Sequence, residues 1–96
     1  MAGEREYTFI KHETATSAST TADQTITAPS YATGALITLT TNGCFFTLDG
    51  TDPSSSNGHF LEVTGDRPFL LPLGVDIRFA SDNPAGNAVL TVSWLG

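Results

Sequence analysis

The sequence predicts an all-β protein that folds as a small β-sandwich of about six or seven short strands. Several segments alternate apolar and polar residues with a period of two, and glycine, proline, asparagine or aspartate separates them. No segment keeps a helical period over three turns. Short, evenly spaced strands are typical of a sandwich or a small barrel. The pattern does not order the strands, so jelly-roll and immunoglobulin-like topologies are both open.

The individual strands are read from this alternation. Ile77 and Phe79 are predicted to point inward together with Val75, and Trp94 shares a face with Leu90. The predicted strands cover residues 6–11, 35–41, 44–49, 59–64, 75–80 and 87–95.

One dipeptide predicts how two of these strands are connected. Asn42-Gly43 joins segments 35–41 and 44–49, and this pair of residues favours the positive φ angles of a tight hairpin. We therefore expect these two segments to pair with each other.

The N-terminal third differs in composition. Residues 14–27 are almost wholly Thr, Ser and Ala, so they have little to bury and no helical period. They are predicted to form an extended arm, with an edge strand of the fold as the alternative. The chain is accordingly divided into an N-terminal strand and arm at 1–34 and a sandwich core at 35–96.

An apolar run interrupts the alternation between two prolines. Pro68 and Pro72 bracket Phe69, Leu70 and Leu71, and Leu73, which follows Pro72, continues the run. Because proline cannot donate a hydrogen bond to a sheet, this run is predicted to be an edge strand or an irregular crossing. Its side chains point both ways, so one set is expected in the core, and the other is either buried by a crossing loop or covered by a partner subunit.

Charge and cysteine content exclude several classes of protein. The net charge is −6 and the four basic residues are scattered, which argues against binding to nucleic acid or to an anionic membrane. The N-terminus has no secretory signal, and no apolar run approaches the roughly 20 residues of a membrane span, so a soluble chain is expected. The single cysteine, Cys44, lies in an apolar run and is predicted to be a small buried hydrophobe.

Catalytic chemistry is not indicated by the sequence. Two separated histidines, His12 and His59, and one cysteine do not make a zinc site, and no nucleophile motif or phosphate-binding loop is found. We predict no catalytic residue, no metal ligand and no cofactor. The loop from Asp49 to Asn57 offers oxygen ligands for calcium, but its spacing fits a turn better, with aspartate side chains bonded to nearby amides.

The same loop region carries a resemblance to known proteins. The run "FFTLDGTDP" is similar to a strand-and-turn element of small immunoglobulin-like modules attached to chitobiases and other glycosidases. In length and layout the chain more closely resembles small all-β virion proteins of tailed bacteriophages, of the capsid decoration or cement type. The matching residues are Phe46 to Thr51, Pro53, Gly58-His59 and Ala88 to Trp94.

The resemblance implies a structural virion protein that decorates and stabilises the exterior of a capsid. Its partners would be the major capsid protein and neighbouring copies of itself, with a trimer favoured, and it would be made in the bacterial cytoplasm and located in the virion. A different virion part, such as a head fibre base or a head–tail or tail accessory protein, and a carbohydrate-binding or spacer module are the alternatives. The predicted interface residues are Tyr7, Phe9, Ile26, Pro29, Tyr31, Phe69, Leu70 and Leu71.

Overall fold

A computed structural model describes residues 8–96 of the chain and confirms the all-β prediction. Within these residues there are eight strands and no helix. The strands are β1 (Phe9–Ser17), β2 (Gln24–Ile26), β3 (Gly34–Thr40), β4 (Cys44–Thr47), β5 (His59–Leu61), β6 (Phe69–Leu71), β7 (Ile77–Ser81) and β8 (Ala88–Leu95).

The strands form two antiparallel sheets of four. Sheet A has the order β1-β8-β3-β6, and sheet B has the order β2-β7-β4-β5. The first strand pairs with the eighth, the second with the seventh, the third with the sixth and the fourth with the fifth. This is the pattern of one long hairpin rolled into two sheets, the jelly roll, so the small β-sandwich is confirmed and its topology is of the jelly-roll kind.

The core lies between the two sheets and follows the alternation of the strands. In β8 every second residue is buried, and Trp94 at its end is fully enclosed. Ile77 and Phe79 of β7 are buried as predicted, whereas Val75 is exposed because it precedes the strand in a loop. Burying a large apolar side chain contributes about 1.5–3 kcal/mol, so this inner layer supplies most of the stabilisation.

Residues 14–27, for which an extended arm and an edge strand were the two alternatives, contribute to edge strands of both sheets. Residues 9–17 form β1 and pair with β8 in eight positions, and residues 24–26 form β2 and pair with β7. The Thr- and Ser-rich composition is compatible with an edge strand, since only one side of β1 faces the interior. There, the hydroxyl of the fully buried Ser17 accepts a hydrogen bond from the Ser81 amide at 2.9 Å.

The predicted hairpin at Asn42-Gly43 is also wrong. Strands β3 and β4 lie in different sheets, so this connection crosses from one sheet to the other. The positive φ falls on Thr41, at 80°. Glycine suits position 43 because of close approach instead, since a Cβ there would lie 3.0 Å from the Leu61 carbonyl oxygen and 2.9 Å from Asp82 Oδ2.

The apolar run between the two prolines is an edge strand, as one of the two predicted alternatives stated. Strand β6 pairs with β3 at the border of sheet A. Where β3 extends past its pairing with β6, the Thr64 amide donates to the Leu39 carbonyl, and the Leu39 amide donates to Thr64 Oγ1, both at 3.0 Å. The hydrogen-bonding edge of β3 that β6 does not reach is thus satisfied at Leu39 by Thr64 of the same chain.

Candidate interaction surfaces

The loop from Leu48 to Gly58 is a turn whose polar groups bond to one another. Asp49 Oδ1 accepts hydrogen bonds from the Thr51 hydroxyl at 2.6 Å and the Thr51 amide at 3.1 Å. These two bonds lower the pKa of the Asp49 carboxyl below 3.8. Gly50 has a φ of 84°, which suits glycine, and Asn57 Nδ2 donates to Thr51 Oγ1 and to the Asp52 carbonyl.

An arginine ties this loop to the outward side of sheet B. Arg78 Nη2 of β7 lies 2.8 Å from Asp52 Oδ1 in the loop and 3.2 Å from Asp23 Oδ2, which precedes β2. Its Nη1 donates to Thr25 Oγ1 at 3.4 Å. The Asp23 side chain is only 17% exposed, so its charge depends on this partner more than that of Asp52 does.

The carboxylates that suggested calcium are therefore already engaged. Asp49 accepts from Thr51, and Asp52 pairs with Arg78. Within residues 8–96, no three His, Cys, Asp or Glu side chains are grouped as a metal site would need. His12 lies on β1 of sheet A and His59 on β5 of sheet B, where its ring lies 5.4 Å from that of Phe46. The structure does not bring the two histidines together.

The single cysteine is buried between the sheets, which confirms its predicted role as a core residue. Cys44 begins β4 and is fully enclosed. Burial, with a smaller contribution from the Asp82 carboxylate, raises the pKa of its thiol from 9.0 to about 12. A thiol of this kind is protonated at neutral pH and a poor nucleophile.

A cleft opens on the sheet B side between the loop and the end of β7. It has a volume of about 390 Å³ and is lined by Thr20, Phe45, Ser54, Ser55 and Asp82. Phe45 packs against the half-exposed Phe60 across β4 and β5, with their ring centroids 5.6 Å apart. An aromatic wall and several hydroxyl groups therefore face the same space.

Two loops meet at one end of the sandwich and expose apolar side chains there. The Ala28 amide donates to Asp76 Oδ1 at 2.8 Å, and a side chain at Gly74 would collide with the Ala32 backbone. The loops 27–33 and 72–76 are therefore packed tightly together. We call their exposed apolar residues, Tyr31, Leu73 and Val75, the loop end; they are 68%, 47% and 37% exposed.

Sheet A presents a broad outward face that no strand formed by residues 8–96 covers. Strand register places the outward residues in four rows, and at one side of the face Leu36 pairs with Leu70, both exposed. We call this surface the outer face. It consists of Phe9, His12, Thr14, Thr16, Leu36, Thr38, Thr40, Leu70, Val89, Thr91, Ser93 and Leu95.

The outer face carries no Asp, Glu, Lys or Arg, although the chain has a net charge of −6. The two charged residues of β1, Lys11 and Glu13, pair with inward residues of β8 and point to the other side of the sheet. There, Glu13 Oε2 accepts from the Trp94 indole at 3.2 Å and lies 3.7 Å from Lys11 Nζ. The charged residues among 8–96 thus lie on sheet B, on the loops and on the inward side of β1.

The structure places some of the predicted interface residues in the core and others on exposed surfaces. Ile26 and Leu71 are buried in the core of the single chain, so the prediction of interface positions is wrong for these two. Both occupy inward positions, Ile26 opposite Ile77 and Leu71 opposite Ala35. Phe9 and Leu70 lie on the outer face, Tyr31 belongs to the loop end with the half-buried Pro29 beside it, and Phe69 is an exposed residue of β6. Tyr7 lies outside the described residues.

Sequence reasoning missed the outer face as a unit and Val75 of the loop end, whereas Leu73 belongs to the apolar run that was expected at a contact. The outer face has a sequence signal, since the outward positions of β3 and β8 contain only uncharged residues. Val75 has none, because its proximity to Tyr31 depends on the packing of two loops in which these residues lie 44 positions apart.

Comparison with protein-family models, curated proteins and solved structures finds no match to this chain. No helix capable of crossing a membrane occurs among residues 8–96.

Proposed function

We propose that the chain is a structural protein of a tailed-bacteriophage virion, which decorates the outside of the capsid and stabilises it through protein–protein contacts. The observation that carries the proposal is the loop end. A lone chain leaves three apolar side chains in water there, on two loops that pack closely against each other. Exposed apolar groups of this kind favour contact with another protein.

Three further points support the proposal. The resemblance of the segment from Phe46 to Thr51 to phage virion proteins points to this class. The polar groups of the loop from Leu48 to Gly58 are bonded within the chain, as a structural role requires. Jelly rolls are found in viral capsid proteins and also in lectins, so the fold is compatible with the proposal without selecting it.

The contacts expected on a capsid are many and individually weak. Three exposed side chains cover only part of the roughly 800 Å² per partner that a standard interface uses. Attachment to a repeating shell supplies avidity, because each copy needs to hold only its own neighbours. The major capsid protein is the proposed partner of the loop end, and neighbouring copies of this chain are the proposed second partner.

The direct test is co-sedimentation of the purified chain with phage capsids from cells that carry its gene, combined with mass spectrometry of the purified virions. We expect a 10.1 kDa component at a fixed ratio to the capsid protein. Leu73→Asp should reduce capsid binding at least about tenfold, because a charge would be buried at the contact.

Val63→Asp is the matched control for this variant. Val63 is exposed to nearly the same extent as Leu73, 46% against 47%, lies outside the loop end and undergoes the same change of charge. Equal binding of the two variants would contradict a contact at the loop end. Absence of the chain from virions would contradict the proposed function itself.

A carbohydrate-binding role is the second candidate, and the cleft beside Phe45 is the observation that favours it. Its volume of about 390 Å³ suits a small ligand, and it combines an aromatic ring with the hydroxyls of Ser54 and Ser55 and the Asp82 carboxylate. Binding to a glycan array that Asp82→Asn removes would support this candidate. Capsid attachment combined with no glycan binding would exclude it.

A further inference from the structure

We infer that the outer face of sheet A is the contact between two copies of this chain, which pair face to face about a two-fold axis. The inference goes beyond capsid attachment, since it concerns a different surface from the loop end and is independent of any shell. Three properties of the outer face lead to it: its lack of formal charge, its apolar row and its area.

The first argument is the distribution of charge. Each copy carries −6, so two copies repel each other wherever their charged sides approach. The charged residues among 8–96 all lie off the outer face. They are Lys11, Glu13, Asp23, Asp49, Asp52, Glu62, Asp66, Arg67, Asp76, Arg78 and Asp82. The outer face is therefore the side on which a second acidic copy meets no charge and on which no charge is desolvated.

The second argument is self-complementarity. A two-fold contact brings the same patch of both copies together, so the patch must fit itself. A patch with charges of one sign would repel its own copy, whereas hydroxyl and apolar groups have no such conflict. Leu36 and Leu70 lie side by side on neighbouring strands, and their row continues through Ser93 to His12. An axis along this row places the two leucines against the same pair in the second copy, and His12 against its own copy.

The third argument is area. Four strands about 4.8 Å apart and about seven residues long at 3.3 Å per residue span roughly 19 by 23 Å, or about 450 Å² per copy. Two copies would cover about 900 Å², near the roughly 1,000 Å² at which specific contacts begin. The expected dimer is therefore weak and forms at high local concentration. A flat face also has room for one other face, which gives two copies where the resemblance implies three.

Sedimentation equilibrium of the purified full-length chain over a dilution series tests this inference. We expect the average mass to rise from 10.1 kDa towards 20.2 kDa, twice the mass of the chain, as the concentration rises to the millimolar range. High salt should favour the dimer, because it screens the net repulsion and no ion pair is lost. A monomer at every concentration, a species of three copies, or association that weakens with salt would overturn the inference.

The variant Thr38→Lys locates the contact. Thr38 lies near the centre of the outer face, beside Thr91, and a lysine there makes the chain less acidic. A loss of association therefore cannot come from greater net repulsion. We expect the dimer to weaken about tenfold or more, since two like charges would be buried at the contact.

Ser55→Lys is the matched control, with the same change of net charge on the loop that joins two strands of sheet B. It should dimerise at least as well as the parent chain. Circular dichroism checks that both variants keep the β-sheet spectrum. Should Thr38→Lys fail to fold, Leu36→Thr, which removes an apolar anchor without adding charge, replaces it. If a folded outer-face variant dimerises as well as Ser55→Lys, the contact between copies does not lie on the outer face.

Discussion

The outward sides of the two sheets differ in how the chain treats them. Over sheet B the chain places its own loop, from Leu48 to Gly58, and fastens it through Arg78 to Asp52, with Asp23 as a second partner. Over sheet A the described part of the chain places no strand, and the exposed residues there are hydroxyl and apolar groups and His12, without formal charge. One side is closed by ion pairs within the chain, and the other is left as a flat face.

The difference shows that charged groups and uncovered surface are kept apart: the ion pairs of Arg78 lie on sheet B, and the uncovered face of sheet A carries no formal charge. Ion pairs hold the loop where the chain can supply both partners itself. An uncharged face costs little to desolvate, which suits a surface that is covered only when another protein arrives. The predictions below test each side of this contrast.

The largest effect is expected from removing residues 1–17. The truncation deletes β1 and uncovers the border of β8, where Trp94 donates to Glu13. A sheet edge and fully buried core residues would become exposed, and the lost burial approaches the whole stability of a small domain, about 5–15 kcal/mol. We expect residues 18–96 to show no cooperative thermal transition by circular dichroism. A cooperative transition near that of the full chain would mean that β1 is an independent arm after all.

Arg78→Ala should give the next largest effect and acts on sheet B alone. It leaves the mostly buried Asp23 without its cation, so we expect a loss of about 1–3 kcal/mol in the free energy of unfolding by urea. Protease cleavage within residues 48–58 should become faster. Arg67→Ala is the control, because Arg67 is exposed and should change stability by less than about 0.5 kcal/mol. Equal losses in the two variants would show that Arg78 does not fasten the loop.

The core between the two sheets can be tested through Cys44, which is buried there. Its pKa is raised in the folded chain, so the folded state favours the protonated thiol, and the stabilisation present below pH 9.0 is lost as the pH rises towards 12. We expect the melting temperature of the parent chain to fall in this range more steeply than that of Cys44→Ala. Thiol labelling at pH 8 should be at least about a hundredfold slower than in urea, and rapid labelling of the folded chain would contradict the burial.

Asp49→Asn should have the smallest effect on stability, because the Asp49 side chain is fully exposed. Its pKa is lowered by the bonds from Thr51, so its contribution is present above pH 3.8 and is lost as the pH falls through the lower pKa of the folded state. Asp49→Asn should therefore be slightly less stable than the parent chain at pH 7, and the difference should shrink in acid. A difference that does not shrink in acid would place the effect elsewhere in the turn.

The sequence predicted those parts of the fold that depend on local alternation. The inward residues of β7 and β8 follow a period of two, so Ile77, Phe79 and Trp94 could be identified without knowing their partners. The Asn42-Gly43 connection could not, because the same dipeptide serves a hairpin or a crossing between sheets, and distant strands decide between them. Strand β1 was obscured for a similar reason, since its Thr-rich sequence becomes a strand only by pairing with residues some 80 positions later.

The candidate surfaces were predictable to a lesser degree. The exposed positions Phe9, Tyr31 and Leu70 were named from the sequence, but Ile26 and Leu71 were placed on the wrong side of their strands. A strand of three residues gives too few alternations to fix which side faces the core. The loop end depends on the packing of loop 27–33 against loop 72–76, which no local pattern encodes.

The pairing of the first strand with the last also governs when the protein can fold during its synthesis. Strand β1 is made early, but its hydrogen-bond partners lie in β8, and the Thr8 amide donates to the carbonyl of Gly96 at 2.8 Å. Sheet A therefore cannot close before β8 has been made, and until then one edge of β3 has no strand beside it. Sheet A is thus completed only when β8 inserts between β1 and β3, two strands that were made long before it.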